Sequence, residues 1–286
     1  MPFRLLFLLL ITALSPFLSA QDTPRATLLQ LFDGMRAGDS TGMAILFYPG
    51  ASLQSVSVDG AGNTVVTPGS IDQWLAGLHR AEAGVLDEQL HYTEIRTDGR
   101  LATAWTPYTF VLNGEIHHCG TNAFQLVQSA ERWRIVNIMD TRDTSGCTLP
   151  STTPVAQQLE DLATGWHAAA GRADADTFFD ALTPDAVYIG TDPGEHWTRD
   201  EFYAFAKPYF EAGKAWDFTA TERHVFHDPD SNVAYWDELL DTWMGPCRGT
   251  AVVKRDERGA WKIAHYTLSM TVPNERVEAV IKAINE

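Results

Sequence analysis

The sequence predicts the α+β class built twice, as two tandem domains in which short helices precede an antiparallel meander. Three observations carry this. Cys119 lies 14 residues before Trp133 and Cys247 lies 14 residues before Trp261, so one stretch recurs at an offset of 128. Helix-periodic apolar residues open each copy and alternating, β-rich segments follow, as when helices segregate to one face of a sheet. Composition permits packed cores: of 286 residues, 45% are hydrophobic and only 20% charged, too few charges for a disordered chain.

The repeat extends beyond those four residues. Trp133-Arg134-Ile135 matches Trp261-Lys262-Ile263, and Ala123 matches Ala251. Ser70-Ile71-Asp72-Gln73 matches Thr198-Arg199-Asp200-Glu201, and both read as capping boxes. Upstream the offset becomes 135, pairing Asp39 with Asp174, Pro49 with Pro184 and Ala51 with Ala186. A longer loop between Val56 and Pro68 absorbs the difference. The copies open on Thr23-Pro24 and Thr153-Pro154, each a cap followed by proline at the first helical position. Thr144 to Thr153, rich in Ser, Thr, Pro and Gly, reads as the linker.

In the first copy Leu28, Leu29, Leu31, Phe32 and Met35 share a helical face that stops before Gly38. Short helices are expected over Ser40–Phe47 and Ser70–Arg80. Strands are expected near Leu90–Thr97, Ala102–Leu112, Ile116–Gln128 and Arg132–Thr141, with turns at Asp98-Gly99 and Asn113-Gly114. The second copy repeats the strands near Asp217–His227, Asn232–Trp243, Arg248–Arg255 and Ala260–Thr271. A final helix capped by Asn274 aligns Val277, Val280, Ile281 and Ile284, a stripe expected to pack on the protein.

Ahead of the repeat, Arg4 precedes an apolar run from Leu5 to Leu14, followed by Pro16 and Ser19-Ala20. This is the pattern of a secretory signal peptide over residues 1–20, cut after Ala20. The run is too short for a spanning helix, which needs roughly 20 apolar residues. The expected division is therefore 21–147 for the first domain and 148–286 for the second, in an exported chain, periplasmic or extracellular. No stable membrane insertion is expected after cleavage. With 21 Lys+Arg against 37 Asp+Glu and a net charge of −16, a nucleic-acid partner is excluded, because phosphate binding needs basic clusters.

Cys119, Cys147 and Cys247 allow one internal disulfide. A turn near Ala130-Glu131 sets Cys119 across from about Arg142, and Cys147, five residues on, can fold back to meet it. A Cys119–Cys147 bridge is expected, with Cys247 free and buried. Adjacent His117 and His118 would point to opposite faces of a strand, and the His224/His227 pair lacks a converging acid, so no metal is expected. Phosphate loops, dinucleotide fingerprints and nucleophile elbows are absent, and no cofactor is expected.

Helix-helix-strand-helix-meander closed by Trp-Lys/Arg-Ile resembles the nuclear-transport-factor-2-like (SnoaL-like) superfamily. The second copy carries the nearer likeness, through Tyr188-Ile-Gly-Thr-Asp192, Trp197-Thr-Arg-Asp-Glu-Phe202, Trp236-Asp-Glu238, Cys247-Arg-Gly-Thr250 and Trp261-Lys-Ile-Ala-His265-Tyr266. These resemble a bacterial exported subgroup defined by sequence and without an assigned reaction. The resemblance implies two cone-shaped domains, each a curved antiparallel sheet wrapped around helices with a pocket at the wide end. The family includes isomerases, dehydratases, cyclases and hydrolases besides binding and assembly domains, so fold does not choose function.

Strict alternation along the last strand puts His265 on the face of Trp261 and Ile263, where it is a candidate general base. Its counterpart in the first copy is Asn137. Asp192, Glu195 and Glu238 are candidate acids, although Glu238 is also placed to pair with Arg248 on the next strand. Trp166, Tyr188, Trp197 and Trp236, with Tyr108 and Asn137 in the first copy, are candidate pocket-lining residues. Asp140 and Arg142 are expected on the face opposite Trp133. Binding of an unknown small molecule ranks first. An isomerase, dehydratase or hydrolase using a His/carboxylate pair is the alternative. An assembly module, with the two domains paired inside one chain and a possible homodimer, is the third.

Overall fold

A computed structural model describes residues 22–130 and 132–285. The expected signal peptide and its cut after Ala20 lie outside the described residues. Two curved sheets, each backed by helices, make up the chain, as the α+β prediction requires.

In the first unit, helices α1 (Pro24–Ala37) and α2 (Ser40–Ala44) lead into strand β1 (Phe47–Val58). Thr23 caps α1 by accepting from Ala26 N, and Gly38 ends it at φ 68°, a left-handed conformation open to glycine at little cost. The expected loop from Val56 to Pro68 is a hairpin: β1 pairs antiparallel with β2 (Thr64–Gly69). Helix α3 (Ile71–Leu78) follows, capped by Ser70 through Gln73 N. The edge expected as one strand is broken into β3 (Leu86–Leu90) and β4 (Glu94–Asp98), both on β5 (Leu101–Leu112). β6 (Glu115–Ser129) and β7 (Arg132–Thr141) complete the order β2-β1-β7-β6-β5-β3.

The second unit repeats the plan. Helices α4 (Val155–Gly171) and α5 (Ala175–Asp180) precede β8 (Leu182–Ile189), β9 (His196–Thr198) and α6 (Arg199–Glu211). The meander runs through β10 (Thr219–His227), β11 (Val233–Asp241), β12 (Cys247–Arg255) and β13 (Trp261–Met270), giving the order β10-β11-β12-β13-β8-β9. Of the two expected capping boxes, the reciprocal one forms only at Thr198 and Glu201. Pro154 occupies the cap of α4 without a side-chain bond, one residue later than expected.

Both sheets carry the same irregularity, and it decides the site. On β7 the register with β6 slips between Ile135 and Asn137; on β13 the register with β12 slips between Ile263 and His265. Each bulge opposes two residues to one and reverses the faces beyond it. Trp133, Ile135, Ile138 and Asp140 are buried on β7, and Trp261, Ile263, Tyr266 and Leu268 on β13.

The sheets enclose separate cores. Leu28, Leu31, Phe32 and Met35 of α1 pack on Phe124, Leu126 and Ile135 in the first. Trp166 of α4, Phe178, Phe202 and Tyr266 dominate the second, with Trp166 stacked on Phe178 at 4.8 Å. The units touch where Arg25 pairs with Asp230 and where Ile95 N donates to Asp230 O at 2.9 Å. The Arg255 guanidinium lies 5.4 Å from the Tyr92 ring and 4.3 Å from Trp261. Helix α7 (Val277–Asn285) leaves Val277, Ile281 and Ile284 exposed, against the expectation that this stripe packs on the protein. Among the described residues no helix is long and apolar enough to cross a membrane.

Candidate functional site

The second unit buries a carboxylate. Inward alternation along β11 selects Ala234, Trp236, Glu238 and Leu240, so Glu238 sits among core residues at 1% exposure. Such a charge survives only with partners. Its Oε1 lies 2.8 Å from His167 Nε2 and accepts from Tyr266 OH at 2.9 Å and from Trp236 Nε1 at 3.2 Å. Its Oε2 accepts from Arg223 Nε at 2.8 Å, with Nη2 at 2.7 Å. Arg223 is brought there by register, directly across β10 from Glu238, and its Nη1 also reaches Glu160 Oε2 at 2.8 Å and Thr164 Oγ1 at 3.0 Å.

The electrostatics follow from this geometry. Burial alone would raise the Glu238 carboxyl; the His167 bond and the charges of His167 and Arg223 outweigh it and hold the group at about 2. The Tyr266 hydroxyl is pushed up by burial and by the adjacent carboxylate. Gly249 makes room for the pair: a Cβ there would stand 2.0 Å from Tyr266 OH and 3.1 Å from Glu238 Cγ. With three neighbours on one oxygen and an arginine on the other, Glu238 is saturated.

His167 and Arg223 of this cluster border an open cleft of about 510 Å³ between α4 and the start of β10. Glu160, Thr164 and His167 line one side, and Asp217, Phe218 and Arg223 the other. His167 thus has one ring nitrogen at Glu238 while the residue borders the cleft. His167 and Arg223 were not singled out from sequence. A strand glycine at 249, which signals close approach of a neighbour, was the available sign.

The sequence-derived candidates are placed differently. His265 does not share the face of Trp261 and Ile263, because the bulge turns it outward and Tyr266 takes the inner position. There His265 Nε2 lies 2.9 Å from Thr267 Oγ1. Asp192 is exposed in the loop after β8 and caps that turn, accepting from Gly194 N at 2.8 Å, while Glu195 Oε2 accepts from Asp192 N at 3.1 Å. His265, Asp192 and Glu238 are therefore not brought together. The expected partner of Glu238, Arg248, stands across from Leu239 instead, so the ion pair forms with Arg223.

The aromatic candidates in this unit belong to its packed core. Trp166 is 2% exposed and Trp236 0%; Tyr188 stacks on Phe202 at 4.0 Å, and Trp197 on Phe205 at 4.5 Å.

A second polar group lies in the first unit. Because of the β7 bulge, Asp140 shares the inner face with Trp133, contrary to the strict-alternation reading. Tyr108 OH donates to Thr141 O at 3.0 Å and approaches Asp140 Oδ2 at 3.4 Å, to which Arg142 Nε donates at 2.8 Å. Asp140 Oδ1 is buried and has no hydrogen-bond partner among the described residues. Asn122 Nδ2 donates to Glu88 Oε1 at 2.6 Å. Burial, with Asp140 nearby, raises the Glu88 carboxyl to about 7. Asn137, expected inside, faces outward and accepts from Ser52 Oγ at 2.7 Å.

The disulfide is as expected: Cys119 and Cys147 are bonded, and Cys247 is free and buried. The fold class is thus α+β, two helix-backed curved sheets in tandem. Residues 159–273, most of the second unit, match the SnoaL-like domain family.

Solved structures similar to the chain include a nuclear-transport-factor-2-like protein of unknown function from Shewanella baltica, 18% identical, covering 42% of this chain and 91% of that one at a TM-score of 0.34. Another from Pseudomonas putida is 16% identical, with 42% and 88% covered and a TM-score of 0.36. A third, from Cytophaga hutchinsonii, is 16% identical, with 42% and 100% covered and a TM-score of 0.36. No curated protein matches the chain.

Proposed function

We propose that the chain is an exported small-molecule-binding protein whose ligand sits in the cleft between α4 and β10. The observation that carries this is an open cleft of about 510 Å³ bordered by His167 and Arg223, which the buried Glu238 carboxylate holds in place. A concave site with a few fixed polar groups is the usual form of a small-molecule site. The carboxylates of Glu160, Asp217 and Glu222 on its walls favour a ligand that brings hydroxyl or amino donors. The disulfide and the apolar start of the chain support export. The two units act as an intrachain pair, divided between residues 147 and 148.

Native mass spectrometry of the protein from its own host tests the reading. A bound small molecule that is lost in Ala168→Trp, which adds bulk to the cleft from α4, is the expected result. A molecule retained by that variant overturns it.

A second reading rests on the His167–Glu238 contact. A carboxylate fixes the imidazole at the edge of a cleft, as a proton-transferring histidine is oriented. On this reading His167, not His265, moves the proton. His167→Asn then keeps ligand affinity and abolishes turnover; loss of both together refutes the catalytic reading.

A further inference from the structure

The outer face of the first sheet carries a groove that the preceding reading does not use. It holds about 570 Å³, and Trp105 on β5, 50% exposed, lines it. Outward alternation puts Thr103 beside it on the same strand. Across the β4–β5 ladder Glu94 opposes Trp105 and Arg96 opposes Thr103. Arg96 Nη2 donates to Glu94 Oε1 at 2.9 Å, so an ion pair flanks the indole. From β6 and β7 come Gln125 and Asn137, paired across the ladder. Asn232 of the second unit also lines it.

The chemistry of this surface is specific. Trp105 offers a rigid apolar plate that the fold leaves half in water, although such area is normally buried. Tyr92, Ala123 and Met139 extend the apolar surface beside it, and Thr103, two amides and the ion pair supply polar groups. Asn137 is oriented by Ser52, whose hydroxyl donates to Oδ1, and this leaves Nδ2 directed away from that bond. Amide and carboxylate groups of this kind donate to and accept from vicinal hydroxyls in pairs. A ligand that fits both halves has a flat face of C–H groups and a rim of hydroxyls. A pyranose ring has this form.

We propose that this groove is a saccharide-binding site, with a sugar ring stacked on Trp105 and its hydroxyls held by Gln125, Asn137 and the Glu94–Arg96 pair. The site lies on the sheet face opposite Asp140 and in a different unit from the α4 cleft, so it stands or falls independently of the function proposed above. The bulge at Asn137 builds it: the slip that takes this amide out of the core delivers it to the groove.

The test is calorimetric titration of the full chain with tetramers of β-1,4-glucose, α-1,4-glucose and β-1,4-N-acetylglucosamine at millimolar concentration. The expected result is saturable binding of at least one series, weakened by about tenfold or more in Trp105→Ala, since a stacked aromatic contributes at about that scale. Gln125→Ala weakens it less, and Trp243→Ala, an exposed tryptophan in the other unit, leaves it unchanged. Unchanged thermal melting of Trp105→Ala shows that the fold persists, as the outward position of the residue predicts. Failure of all three series to bind, equal binding by Trp105→Ala, or a wild-type dimer that Trp105→Ala dissociates each overturns the proposal. The last outcome would make this face a self-association surface.

Discussion

His167 Nε2 lies 2.8 Å from Glu238 Oε1, so a helix and a sheet strand 71 residues apart meet through one buried polar contact. Around it Arg223, Tyr266 and Trp236 leave no acceptor of that carboxylate idle. Glu238→Gln removes the charge that compensates Arg223, whose side chain is 6% exposed. Breaking a buried pair from one side costs about 3–5 kcal/mol, which chemical denaturation of the variant should show.

The same carboxylate sets an acid limit. Its folded value, about 2, lies below its ordinary range, so its contribution is present above pH ~4.5 and is lost as pH falls toward 2. Wild-type melting temperature should therefore drop steeply below pH ~4, and the drop should be shallower in Glu238→Gln.

Glu88 works in the opposite direction. Its folded value is raised to about 7, so the folded chain binds the proton more tightly than the unfolded chain. Stability is lost as pH rises from ~4.5 through ~7, and the full penalty applies above that. Glu88→Gln keeps an acceptor for Asn122 and removes the charge. It should melt near the wild-type temperature at pH 4.5 and above it at pH 8.5, by an amount worth roughly 1–3 kcal/mol. Equal melting temperatures at both pH values would refute the assignment.

His265 and its neighbour Tyr266 make a paired prediction. Tyr266→Phe deletes a buried hydroxyl that donates to an ionised carboxylate, and should cost about 1.5–3 kcal/mol. His265→Ala deletes only an outward-facing bond to Thr267 and should cost about 1 kcal/mol or less. The reverse ranking in urea titrations would place the bulge elsewhere.

The Cys119–Cys147 bridge spans 28 residues, and the chain-entropy model gives about 3–4 kcal/mol for such a loop. The Cys119→Ser/Cys147→Ser double variant should lose stability on that scale. Alkylation of the native chain without reductant should label neither bridge cysteine, and Cys247, at 0% exposure, only after unfolding.

Most of the fold is legible in the sequence because periodicity and capping are local. The helical face of Leu28, Leu31, Phe32 and Met35, the caps at Thr23, Ser70 and Thr198 and the glycine stop at Gly38 act within one or two turns. The doubled Trp-x-Ile strands and the cysteine pairing also follow from spacing. These features determine an α+β chain with two sheets.

The sites depend on the tertiary structure. One extra residue on β7 and one on β13 reverse the faces beyond the bulge, exchanging His265 for Tyr266 and Asn137 for Ile138 at the interior. No local signal marks that slip, since a bulge is set by how neighbouring strands twist together. The partners of Glu238 come from α4, β10, β11 and β13, and the choice of Arg223 over Arg248 is made by cross-strand register. Periodicity thus determined which segments are strands; strand register and the packing of α4 on the sheet decided which side chains meet, because both are long-range properties of the fold.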